Sequence, residues 1–297
     1  MALTRTMLTN LQRKLFNSMQ KLYTNKLKVT NFSTNIGHNI KEGKINVDGI
    51  DINCVQVGKG EHPVLLLPGV MGSAWTDFKP QIENLSQDKF KIIAWDPPGY
   101  GKSRPPNRNF PDNFFERDAT WGYHLMKALG HSTFSLIGWS DGGITSLILA
   151  SKYSENIRKM LIIGANSFVL PEEIQVYESI RNIDSWSAKM KDPLLALYGK
   201  NYFQETWSKW IDTMIILFAK NKGNICKEHL ANIKCPTLIV HGKKDVLVAR
   251  EHPTFLNKHI KNSQIKYFEQ GGHNLHLRYS EEFNVLATEF LSEKSKL

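Results

Sequence analysis

The sequence predicts an α/β chain: a mostly parallel, eight-stranded sheet flanked by helices, with a helical insertion in its second half. Three observations carry this. From residue 44 onward, strand and helix signals alternate, the pattern of a parallel sheet whose crossovers are helices. The alternation stops over residues 167–232, an aromatic-rich stretch of helical text (Tyr177, Trp186, Tyr198, Tyr202, Phe203, Trp207, Trp210), and resumes at Pro236. A short apolar run ending at Ile137 meets a glycine-flanked turn and then a helix beginning near Asp141. Residues 42–166 and 233–293 are therefore expected to form the core and 167–232 to lie over it as a lid.

The elements follow in order. Lys44–Val47 and Asp51–Val57 flank Asp48-Gly49, a tight-turn signal for an opening hairpin. Val64–Leu67 is fully apolar and ends in Pro68-Gly69, as a buried strand meeting a turn does. A helix is expected over Trp75–Leu85. A strand over Lys91–Trp95 follows, then the loop Asp96-Pro97-Pro98-Gly99-Tyr100-Gly101-Lys102-Ser103. Pro111–Leu129 reads as an amphipathic helix, capped by Asp112 and stopped by Gly130, with Phe114, Trp121, Leu125 and Ala128 on one face. Ser132–Ile137, Lys159–Gly164, Pro236–His241 and Gln264–Phe268 complete the strands. Asp141–Tyr153 and Glu281–Leu291 complete the core helices.

With 297 residues, 41% of them hydrophobic, the chain has ample material for one large domain. No stretch approaches the roughly 20 consecutive apolar residues of a membrane-spanning helix, and stable membrane insertion is not expected. Cys54, Cys226 and Cys235 are scattered and lack metal-ligand spacing, which fits reduced structural thiols. The net charge of +10 is concentrated at one end. Residues 1–41 hold seven basic residues and no acidic one, leaving 31 basic against 28 acidic residues elsewhere. A nucleic-acid partner is therefore not expected. The N-terminal segment alternates Leu3, Met7, Leu8, Leu11, Leu15, Phe16, Met19 and Leu22 with basic residues at helical spacing, the makeup of a mitochondrial presequence. The chain ends Ser295-Lys296-Leu297, which spells a peroxisomal signal. The two addresses compete. Mitochondrial localisation is the expectation and a peroxisomal pool its alternative.

The chemistry centres on Gly138-Trp139-Ser140-Asp141-Gly142-Gly143, placed between a strand and a helix. In that setting a Gly-x-Ser-x-Gly turn holds the serine in a strained conformation above the sheet, and small neighbours leave room for strand and helix to pass. A helix-capping serine would need none of this. A serine hydroxyl requires a base. Among ten histidines, His273 lies in a glycine-rich loop after the last strand, where it can reach the nucleophile. His276 would point elsewhere if its segment turns helical, His241 ends a strand, and His124 falls on a helix. Asp245, in the loop after the preceding strand, is placed to orient the imidazole; the alternative is a plain turn aspartate. The order Ser140, Asp245, His273 is that of the α/β-hydrolase fold. The tetrahedral oxyanion needs two N–H donors. One is expected from the backbone of Asp141 and the other from Val70 or Met71, which sequence alone does not separate. The Asp141 side chain is either a first-turn acid favoured by the helix dipole or a binder of a cationic substrate group.

Several segments resemble one family of this fold, the biphenyl hydrolase-like or valacyclovir hydrolase family. They are Gly138 to Thr145, Ala94-Trp95-Asp96-Pro97-Pro98-Gly99-Tyr100-Gly101, Asn113 to Ala119, Gly223-Asn224-Ile225-Cys226 and His273-Asn274-Leu275-His276-Leu277-Arg278. The resemblance spans roughly residues 44–292 and implies an α-amino-acid ester hydrolase, serine-dependent and free of metal or other cofactor. It further implies Ser140, Asp245 and His273 as the catalytic residues and Asp141 as the partner of the substrate's amino group. A small-molecule ester substrate and a monomeric chain are expected. Aminopeptidase or carbon–carbon bond hydrolase activity is the alternative on the same scaffold, and a non-catalytic binding protein a more distant one. Ser295-Lys296-Leu297 departs from the family pattern.

Overall fold

Val47 and Ile50 pair across a two-residue turn whose Asp48 and Gly49 both have positive φ, 53° and 86°. This twist matches that of the flanking strands, so the Asp-Gly signal forms the opening hairpin. The computed structural model describes residues 30–35 and 40–292. The proposed presequence therefore lies mostly outside the described residues, and Ser295-Lys296-Leu297 lies wholly outside them.

The nine strands are β1 Thr30–Asn35, β2 Ile40–Val47, β3 Ile50–Val57, β4 His62–Leu67, β5 Phe90–Trp95, β6 Phe134–Trp139, β7 Ile157–Ile163, β8 Thr237–Gly242 and β9 Ser263–Phe268. They form one sheet in the order β1-β2-β3-β5-β4-β6-β7-β8-β9. The eight expected strands are all present. The ninth, β1, extends the antiparallel edge by pairing with β2. β2 begins at Ile40, ahead of the expected core boundary at residue 42, because Ile40 is itself buried. From β5 across to β9 every pairing is parallel. The central strands are buried on both faces: Leu65 and Leu67 pack into one apolar cluster, Val64 and Leu66 into the other. This is the period-two consequence of a strand covered by helices on both sides.

Helices α1 Ala74–Asn84, α2 Phe114–Ala128, α3 Asp141–Lys152, α4 Pro171–Ser179, α5 Ala188–Tyr198, α6 Lys200–Asn221, α7 Glu251–His259, α8 Leu275–Arg278 and α9 Ser280–Ser292 complete the described fold. α2 begins later than expected, and Asp112 does not cap it. Asn113 takes the cap position without a side-chain bond, while Asp112 is exposed and pairs with Lys220 at 3.0 Å. α7 has no sequence-level expectation. Residues 167–232 hold α4, α5, α6 and short 3₁₀ turns. Tyr177, Ile183, Tyr198, Phe203, Trp207, Trp210, Ile211 and Met214 from this stretch join the same apolar cluster as α2 and α3. No described helix is long and apolar enough to cross a membrane.

The chain leaves β4 for β5 on one side, and β6 then enters on the other. The carboxyl end of β4 is thus a topological switch point, where open α/β sheets place ligands. Leu67 pairs with Gly138 there. The turn Pro68–Gly72 and the turn at Ser140 consequently emerge side by side.

Candidate active site

Ser140 sits between β6 and α3 at φ 54°, ψ −123°, a strained backbone for a residue with a Cβ. Close approach of strand and helix maintains it. A Cβ on Gly142 would lie 2.0 Å from the Leu67 carbonyl oxygen, and one on Gly138 would lie 2.3 Å from Ser146 Oγ. These are the small positions the motif demands. Ser140 Oγ lies 3.0 Å from His273 Nε2, and His273 Nδ1 lies 2.8 Å from Asp245 Oδ2. With Nδ1–H donating to the carboxylate, Nε2 is free to accept the serine proton.

The supporting contacts are local. Asp245 Oδ1 accepts the backbone N–H groups of Leu247 (2.9 Å) and Val248 (3.0 Å), which locks the carboxylate in its turn. Burial alone would raise its pKa, but the neighbouring imidazole and these bonds hold it below the ordinary carboxylate value. For His273 burial favours the neutral ring, yet Asp245 outweighs it and leaves the imidazole more basic than usual. Trp139 Nε1–H donates to the His273 carbonyl at 2.8 Å, fastening the histidine loop to the Ser140 turn. Gly164, at φ 52°, leaves room for the pair: a Cβ there would lie 3.0 Å from His273 Nδ1 and 3.2 Å from Asp245 Oδ2.

Among the described residues none of the competing histidines hydrogen-bonds Ser140. His276 is buried with Nε2 on the Asp77 carbonyl at 2.8 Å, and burial depresses it to about 3. His241 is buried within β8, and burial lowers its pKa as well. His124 is a surface residue paired with Asp48.

The three expected oxyanion donors are the backbone N–H groups of Asp141, directly after Ser140, and of Val70 and Met71, in the turn whose Gly69 lies against Ser140. Among the described residues none of them donates to a backbone carbonyl. The Tyr100 hydroxyl is buried with no hydrogen-bond partner among the described residues. The turn is braced by Asp77, whose Oδ2 accepts the Gly69 N–H at 2.9 Å and whose Oδ1 accepts the Thr76 hydroxyl at 2.8 Å. Burial pushes the Asp77 carboxyl up to about 7.

Asp141 opens α3 and is 9% exposed. Its Oδ2 accepts Trp210 Nε1–H from α6 at 2.8 Å. Its Oδ1 takes no hydrogen bond from the described residues. Burial raises its pKa to about 7, against the pull of the Trp210 bond and of Arg108. Arg108 is itself engaged by Asp118 through two parallel bonds and lies over the Tyr100 ring at 4.6 Å. A small internal cavity beside Asp141 is lined by Tyr100, Arg108, Asp118 and Thr145. The sequence offers no sign of the Trp210, Asp77 or Arg108 contacts. Trp210 and Asp141 stand 69 positions apart, and a tryptophan in a helical insertion reads only as packing. Among the described residues no group of three or more His, Cys, Asp or Glu side chains converges to hold a metal ion.

A strained serine turn at a switch point, facing histidine and aspartate loops from the next strands, defines the α/β-hydrolase class. The alpha/beta hydrolase fold family matches residues 62–180. Within that class the chain belongs to the family of the serine hydrolase BPHL, the biphenyl hydrolase-like or valacyclovir hydrolase proteins. It is 50% identical over 255 residues to serine hydrolase BPHL of Homo sapiens, across 86% of this chain and 88% of that protein. The Mus musculus protein is 49% identical over the same shares. Among solved structures, the meta-cleavage product hydrolase of Pseudomonas fluorescens IP01 is similar in fold, with TM-score 0.68 and 24% identity over 83% of this chain and 96% of that one.

Proposed function

We propose that this chain is a serine esterase that cleaves α-amino-acid esters through an acyl-enzyme. Ser140 attacks the ester carbonyl while His273 takes its proton and returns it to the leaving alcohol. Water, activated by the same imidazole, then releases the amino acid. Asp245 holds the tautomer and stabilises the imidazolium. The oxyanion is received by the N–H groups of Asp141 and Val70. Val70 is preferred over Met71 because it directly follows Gly69, where a Cβ would lie 3.2 Å from Ser140 Cβ.

The observation that carries the substrate class is the Asp141 side chain. A carboxylate beside a site of developing negative charge opposes the chemistry unless a cation neutralises it. Here one oxygen is tied to Trp210 and the other has no hydrogen-bond partner among the described residues, and Arg108 is already committed to Asp118. An ammonium group on the carbon next to the ester carbonyl would complete the pair. The same carboxylate disfavours acids such as the dienoates named for the chain's more distant relatives.

The test is a kinetic panel of aminoacyl esters against their N-acetylated counterparts. Asp141→Ala should lower kcat/KM on the free amino esters by about 100-fold, the scale of a lost buried ion pair, and change the N-acetylated esters far less. Equal losses on both would remove the substrate assignment. Ser140→Ala should abolish fluorophosphonate labelling.

We propose mitochondrial residence, with a peroxisomal pool as the competing address. The support is the acid-free basic segment at residues 1–41 and the terminal Ser295-Lys296-Leu297. Fractionation of cells expressing the full chain, with and without its last three residues, decides between the two.

A further inference from the structure

The structure assigns Tyr198 as a positioning residue: we propose that its hydroxyl, carried by the lid, aims the Val70 N–H at the oxyanion through two successive peptide planes. The inference rests on the serine-esterase reading.

Tyr198 is the last residue of α5 and is 7% exposed. Its hydroxyl donates to the Met71 carbonyl at 2.8 Å and accepts the Gly101 N–H at 2.8 Å. The Met71 carbonyl and the Gly72 N–H share one trans peptide, so they point in opposite directions. The Gly72 N–H donates to the Gly69 carbonyl at 3.0 Å. That carbonyl shares the next trans peptide with the Val70 N–H, which again must point the opposite way. The Gly69–Val70 peptide lies against the nucleophile, since a Cβ on Gly69 would sit 3.2 Å from Ser140 Cβ.

The dipoles from Gly101 through Tyr198, Met71-Gly72 and Gly69-Val70 are thus aligned head to tail. Each bond polarises the next and strengthens the last free donor. Met71 has φ 61°, a left-handed conformation that a residue with a long side chain adopts only when its surroundings enforce it. The Tyr198 hydroxyl is the described partner of its carbonyl. Without it, Met71 is released toward negative φ, the Met71–Gly72 plane rotates and the Gly72–Gly69 bond loosens. Asp77 holds only the upstream Gly69 N–H and cannot replace this restraint.

Tyr202 supplies the control. It lies on the same lid, and its hydroxyl bridges the Gly99 carbonyl (2.7 Å) and the Arg108 N–H (2.9 Å) without touching the oxyanion turn. Arg104 lies over both rings, 4.8 Å from Tyr198 and 4.4 Å from Tyr202.

The experiment compares Tyr198→Phe with Tyr202→Phe by kinetics, fluorophosphonate labelling rate, inhibition by a boronic acid and thermal melting. Tyr198→Phe is expected to lower kcat by about 10-fold, less than outright loss of an oxyanion donor. KM and the preference for free over N-acetylated amino esters should stay unchanged. Labelling and boronate affinity should fall by the same factor, because both require the oxyanion site. Tyr202→Phe should melt at a similar temperature and keep its kcat near wild type. Equal kcat losses in the two variants, or a rise in KM alone for Tyr198→Phe, would overturn the inference. Wild-type protein that is labelled no faster than Tyr198→Phe overturns it while sparing the esterase reading. Wild-type protein that resists the probe and cleaves no ester overturns both.

Discussion

In the proposed reaction Asp141 carries two roles in one residue, its backbone N–H serving the oxyanion and its carboxyl the substrate's ammonium group. Because burial lifts the carboxyl from 3.8 to about 7, only about half of it is charged at neutral pH and progressively less below. The preference for free over N-acetylated amino esters should therefore fall as pH drops through about 7. His273 titrates in both reactions and cancels from the ratio, and an Asp141→Asn variant should lack this pH dependence. The stability sign is opposite to that of a salt-bridged acid. The folded state binds the Asp141 proton more tightly than the unfolded chain, so its penalty appears as pH rises from about 4 to about 7 and is complete above that range. Asp141→Asn should raise the melting temperature more at pH 8 than at pH 5, with a stability gain on the order of a few kcal/mol. Ser140 is legible in the sequence because its strained turn excludes all but small flanking residues. His273 and Asp245 are legible because loops after successive parallel strands must emerge at one sheet edge. The environment that retunes Asp141 is not legible, since burial and the Trp210 bond arise only when the lid packs.

At the level of elements, the lid reaches the site through α6, and Trp210 is its point of contact with Asp141. The Trp210 N–H favours the charged carboxylate, so Trp210→Phe should move the pH at which amino-ester preference is lost upward while leaving N-acetylated esters nearly untouched. pH–rate profiles of the two substrate types check this. The loop that follows β5 is fastened to α2 by Arg108 and Asp118, whose side chains are 2% and 7% exposed. Removing one partner of such a buried pair costs about 3–5 kcal/mol, because the other charge is left uncompensated. Arg108→Met should lower stability in urea by that order. α2 also shows the limit of local signals. Asp112 has the chemistry of a cap, yet the helix starts at Phe114, so Asn113 holds the cap position and Asp112 stays exposed beside Lys220.

Across the whole molecule, parallel pairing from β4 through β9 brings the Ser140, Asp245 and His273 loops to one edge, and Gly164 at the end of β7 keeps the space between them open. Gly164→Ala would combine an unfavourable φ of 52° with contacts of 3.0 to 3.2 Å to His273 and Asp245. It is expected to lower kcat by at least about 10-fold, the effect of misplacing a catalytic group by a fraction of an ångström. KM should change little and the fold should persist, as circular dichroism would show.

Periodicity, turn chemistry and motif spacing are local properties. By themselves they determined the alternating sheet, the helical insertion, the strained serine turn and the chain order of Ser140, Asp245 and His273. The pairing of Trp210 with Asp141, the rise in that carboxyl's pKa, the bracing of the Pro68–Gly72 turn by Asp77 and the reach of Tyr198 to Met71 were decided only in the tertiary structure. Each depends on burial or on contact between residues far apart in the chain, and neither has a signature in the residues that flank them.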